Sequence, residues 1–175
     1  MSNHAAWHHA LQTYFSVALF TLALIVFFLE WVIQRHRQRT NIYEILYHWT
    51  ALFPLGVYAL YLFITNAIFS NIIQMESLQK TTTVYNVGLA NAVIATLAIS
   101  SFTESYGFRL AAVIASSIWL WGTAVGVIYQ MIAQRNIIWG NLDAWFWISV
   151  IIPFILIYCI IKLKPANRPV SYNPL

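Results

Sequence analysis

Residues 11–33 read LQTYFSVALFTLALIVFFLEWVI, an apolar run whose only charge is Glu30. A helix needs about 20 such residues to cross the hydrocarbon core of a bilayer, because each residue advances it by about 1.5 Å. Four further segments meet or nearly meet that requirement: Tyr43 to Phe69, Val84 to Phe102, Gly107 to Ala133 and Ala144 to Leu163. Short connections between them predict sequential neighbours packed antiparallel. The reading is an all-α, polytopic transmembrane bundle of about five helices. It forms one domain over residues 1–175, without internal repeat or linker.

Composition agrees. Hydrophobic residues make up 61% of the chain and charged residues 8%, against roughly 25% charged in a soluble domain. So little charge cannot cover a water-facing surface, and the lipid bilayer is the expected surrounding. The formal charge of +4 needs no nucleic acid, since basic residues at helix ends meet anionic headgroups. Cys159 is the only cysteine, which excludes an intramolecular disulfide and reads as a small buried hydrophobe. The N-terminus lacks the basic region and small-residue cleavage site of a secretory signal, so the first apolar run is expected to stay as a mature helix.

Lys and Arg near helix ends are retained in the cytoplasm. Arg35, Arg37, Arg39, Arg109, Lys162, Lys164 and Arg168 fall on one side of the five-helix arrangement, and only Lys80 and Arg135 on the other. The N-terminus is therefore expected outside and the C-terminus in the cytoplasm. Aromatic belts fit this frame, with Trp7, Trp139, Trp145 and Trp147 outside and Trp31, Tyr43, Tyr47 and Trp49 inside. Trp119 and Trp121 lie deep and read as packing residues. Gly122 and Gly126 have the spacing of a close helix contact, and Gly88, Ala92 and Thr96 form a similar ridge. This predicts that the third and fourth segments make the tight centre while the first and fifth face lipid. Pro54 and Pro153 are expected to kink their helices.

Polar side chains at membrane depth are costly and mark functional sites by default. Asn66, Asn86, Asn91, Thr123 and Gln130 all fall in the outer half of the bilayer, which predicts a polar ligand-binding cleft open to the non-cytoplasmic side. The bland reading makes them interhelical hydrogen bonds. Amides and hydroxyls bind polar groups but are weak general acids and bases. His4, His8 and His9 form a weak candidate metal site, without a cysteine or carboxylate beside them. His48 has no intramembrane histidine partner for haem. No cofactor is expected. Glu30 lies five residues before Arg35, and Glu104 five before Arg109, spacings that read as interfacial ion pairs. Motifs of nucleotide binding, serine hydrolysis, zinc proteolysis and dithiol chemistry are missing, so no catalytic residue is assigned.

From Phe53 onward the chain resembles a family of small bacterial integral membrane proteins of unknown function. The matching pieces are FPLG (Phe53 to Gly56), VGLAN (Val87 to Asn91), GFRLA (Gly107 to Ala111), WGTAVG (Trp121 to Gly126), the pair Gly140 and Asn141, and Pro153. The resemblance implies a membrane bundle and carries no activity. Relatives often have acids or a histidine where this chain has Asn86, Asn91, Thr123 and Val127, so an ionisable site of the relatives is neutral here.

Three functions follow. The first is a non-enzymatic binding or interaction subunit, alone, as a homo-oligomer or in a membrane complex. The second is a transporter or permease component for a small solute. The third is a quinone- or lipid-linked enzyme or electron-transfer subunit. The compartment expected for all three is the bacterial cytoplasmic (inner) membrane.

Overall fold

A computed structural model describes residues 3–35, 41–68, 78–133 and 144–164, with the side chains of 3–12 and 78–82 outside the description. It contains five helices long and apolar enough to cross a membrane. We number them α1 (Asn3–Arg35), α2 (Ile42–Ile68), α3 (Leu78–Ser100), α4 (Tyr106–Ala133) and α5 (Ala144–Leu163). The chain is a multi-pass helical membrane protein.

The centre differs from the sequence expectation. α2 and α5 form it, with α3 packed along α2, α4 along α5, and α1 laid over the groove between α2 and α5. In its most apolar window α5 is 44% buried and α1 only 17%. The expectation that α1 faces lipid is met, and the same expectation for α5 is corrected. The core joins Tyr47, Leu55 and Ala59 of α2 to Ala95 and Ala98 of α3, Leu120 of α4, and Ile152, Leu156 and Cys159 of α5. Its small members let backbones approach, since in lipid the attraction comes from packing contacts rather than from water release.

Close approach is clearest at α3's Gly88. A Cβ there would lie 2.9 Å from both the Cβ and the backbone N of Ala67 in α2. At Gly56 it would meet Ile99 Cγ1 at 3.0 Å. By contrast, a Cβ on Gly122 or Gly126 meets nothing within 4 Å. The glycine pair of α4 therefore makes no helix contact among the described residues, and Gly88 does. Trp119 packs against the core and Trp121 against Phe154, at a ring separation of 5.2 Å, as expected for packing residues.

Pro54 acts through hydrogen-bond register. It lies in a wide π-helical stretch, Ala51–Val57, and a second such stretch covers Ile64–Ile68. Proline has no N–H and crowds the carbonyl one turn back, and a wider turn relieves that crowding. Pro153 stays within regular α-helix.

Candidate functional site

Of the residues proposed from sequence, Asn66, Asn86 and Gln130 fall toward the end of the bundle where α2 finishes and α3 begins, while Asn91 and Thr123 lie nearer the middle of α3 and α4. Asn91 is buried, and its amide donates to Val87 O of its own helix at 2.8 Å. The Thr123 hydroxyl donates to Leu120 O at 2.8 Å. Asn66 is half-buried, while Asn86 and Gln130 are exposed. Among the described residues no hydrogen bond joins any two of the five. α1 starts early enough to put His4 and His8 one turn apart, but those side chains and that of His9 lie outside the described residues.

A connected set of polar and aromatic side chains occupies the opposite end, where α3 turns into α4. Its placement starts with Asn41, the N-cap of α2, whose Oδ1 accepts from Tyr43 N–H at 3.1 Å. That cap fixes the first turn and puts Glu44 three residues on, where a carboxylate also suits the positive end of the helix dipole. Arg109 reaches Glu44 from α4, Nη1 to Oε1 at 3.3 Å. The same guanidinium donates from Nε to Ser101 O at 3.1 Å and from Nη2 to Phe102 O at 3.3 Å. These carbonyls follow the end of α3 and lack helical donors, so one planar fork closes the α3–α4 turn. Its carbon lies 5.5 Å from the ring centre of the buried Tyr47.

His48, one residue further along α2, stacks on Phe102 at 4.3 Å. Its Nε2 is buried, lies 4.0 Å from Glu44 Oε1, and has no hydrogen-bond partner among the described residues. Trp49 continues the chain of contacts, edge-on to Phe102 at 6.0 Å and stacked on Phe53 at 5.6 Å. The indole N–H of Trp49 donates to Glu30 of α1, and Gln34 donates its amide to the other oxygen of the same carboxylate. The remaining amide oxygen of Gln34 is buried without a donor among the described residues.

The ion pairs expected from sequence are thereby corrected. Glu30 is held by Trp49 and Gln34 while Arg35 lies over the Trp31 ring at 5.5 Å. Arg109 pairs with Glu44, and Glu104 is exposed in the turn. Spacing of five along the chain offered proximity, but the helix geometry turned the groups to different faces.

Sequence reasoning passed over this site although a signal was present. The buried residues Ser16, Leu19 and Ala23 and the half-buried Glu30 and Gln34 recur at three to four residues, or twice that, along α1. Such a stripe marks one helix face. Glu30 and Gln34 therefore lie on the face that α1 turns to the protein.

Comparison with family models matches residues 13–169 to a family of unknown function, DUF6790. The chain belongs to this family. Membership of DUF6790 covers all five helices and supplies no activity. Comparison with curated proteins and with solved structures finds no match. Two pieces of sequence that carried the resemblance, FPLG and GFRLA, supply Phe53 and Arg109 to the cluster at the α3–α4 end.

Proposed function

We propose that this DUF6790 member is a non-enzymatic binding subunit of the bacterial cytoplasmic membrane. Its N-terminus is outside and its ligand site is the cluster at the α3–α4 end, on the cytoplasmic side. The orientation is supported by the distribution of Lys and Arg. One observation carries the site: Glu30 is a carboxylate inside a spanning helix whose two hydrogen-bond donors, Trp49 and Gln34, are both neutral. Charge turned toward the protein is costly unless a partner offsets it, which supports reading this interfacial carboxylate as a group kept for use. Binding is favoured over passage of a solute because the α2–α3 seam is closely packed, a Cβ at Gly56 meeting the Ile99 side chain at 3.0 Å and one at Gly88 meeting Ala67 at 2.9 Å.

Native mass spectrometry of gently extracted protein tests the reading. Wild type should retain an associated molecule that Glu30→Gln loses, with the thermal midpoint changed by no more than a few degrees, since glutamine keeps the shape and accepts one of the two bonds. Retention by Glu30→Gln together with loss by Thr123→Val or Asn91→Leu would move the site to the polar residues of α3 and α4 expected from sequence.

A further inference from the structure

We infer that the α3–α4 end binds an alkylammonium group, with its cationic nitrogen at Glu30 and its carbon substituent against Trp49, Phe53 and Phe102. This deepens the reading above and rests on it. The first argument is charge. At this end Arg109 is engaged with Glu44, Arg35 lies over Trp31, and Lys162 lies over Tyr158 at 5.6 Å. Among the described residues at this end only Arg109 bonds to a carboxylate; Glu44 takes it, Glu104 stands exposed in the turn, and Glu30 is the half-buried carboxylate with neutral donors alone.

The second argument is hydrogen bonding. Gln34 bonds to Glu30 through its amide nitrogen, so its Oε1, buried and without a donor among the described residues, is an acceptor right beside a carboxylate. Buried acceptors without donors are rare and call for one. A ligand that matches both groups must bring positive charge and N–H donors together, which a protonated amine does and a neutral alcohol or an anion does not. A bare metal ion fits less well, because the described residues hold no group of three His, Cys, Asp or Glu side chains.

The third argument is the aromatic surround. Trp49 bonds to the carboxylate through its ring nitrogen and is flanked by Phe53 and Phe102. Indole and phenyl faces attract organic cations, and the carbon next to the nitrogen, which has no hydrogen bond to water to give up, packs against them. Glu30, Trp49, Phe53 and Phe102 are each half-buried. An amine arriving from the membrane interface can reach them without unfolding the core.

Two sources share this chemistry, the ethanolamine head of a membrane lipid and a free amine. The full chain is placed in nanodiscs of phosphatidylcholine with a minor share of phosphatidylethanolamine, and hexylammonium is added separately as the free probe with hexanol as its neutral control. We expect hexylammonium to raise the thermal midpoint and hexanol not to, with Glu30→Gln weakening the ammonium affinity at least tenfold and Trp49→Phe by a smaller factor. Glu104→Gln, in the exposed turn, should leave it unchanged. Enrichment of phosphatidylethanolamine on the released protein, reversed by hexylammonium, assigns the lipid source; ammonium binding without that enrichment assigns the free amine. Equal affinity of wild type and Glu30→Gln, or no binding of either ammonium probe, overturns the inference. If an unrelated molecule is still retained in a Glu30-dependent way, the ligand class alone falls. If nothing retained depends on Glu30, the binding function falls with it.

Discussion

At the scale of single residues, Arg109 is the most committed side chain in the described structure. It bonds at once to a carboxylate and to two carbonyls after α3. Arg109→Ala strands all three acceptors, with its side chain 14% exposed and that of Glu44 39% exposed. A hydrogen bond to a charged group contributes about 1.5–3 kcal/mol, and the partial exposure of Glu44 discounts the ionic share. The expected loss is about 2 kcal/mol of stability in denaturant unfolding in detergent. Arg109→Lys should recover less than half, because an ammonium keeps the charge but cannot fork. Glu30 should behave in the opposite way, with function lost and stability kept. This contrast separates a residue that closes a turn from one that serves a ligand. Only a trace of this site was legible in the sequence, in the helical spacing that Glu30 and Gln34 share with Ser16 and Ala23, and the reading settled instead on Asn66, Asn86, Asn91, Thr123 and Gln130. What the sequence withheld was the partner of each, because Trp49 and Glu44 reach their bonds only once α1, α2 and α4 are packed.

At the scale of helices, the tight contact is at Gly88 and not at Gly122 or Gly126. Gly88→Ala puts a methyl group 2.9 Å from Ala67 backbone, where no side-chain rotation gives relief. Overpacking of this kind costs about 1–3 kcal/mol. Gly122→Ala and Gly126→Ala meet open space and should be neutral, or stabilising by up to about 1 kcal/mol from helix propensity. Thermal midpoints of the three variants in one detergent check the order. A fall for the α4 variants that grows with dilution of the protein would instead reveal a contact between copies. The sequence misled here for a physical reason. In water a core face is apolar and its reverse polar, but in lipid both are apolar, so α5 carries no stripe to say which side is buried. Small residues then remain as the signal, and the alanines and serines in the core, Ala95, Ala98, Ser116 and Ser149 among them, were less conspicuous than a glycine pair.

At the scale of the whole molecule, the number and approximate placement of the helices were legible because span length is set by the bilayer. The five expected segments and the five helices differ mainly at their ends, with α1 starting at Asn3 and α3 at Leu78. The proposed site lies at the α3–α4 end of that bundle, and the cytoplasmic orientation proposed for that end is open to a direct test. Cys159 is wholly buried, so the native chain should give little background to a membrane-impermeant thiol reagent, and cysteines can be introduced singly at Ser77, before α3, and at the exposed Ser105, after it. In intact cells Ser77→Cys should be labelled from outside, and Ser105→Cys only after the membrane is opened. The reverse pattern would put the Glu30 site on the outer face, and labelling of both without permeabilisation would mean that α3 does not cross the membrane.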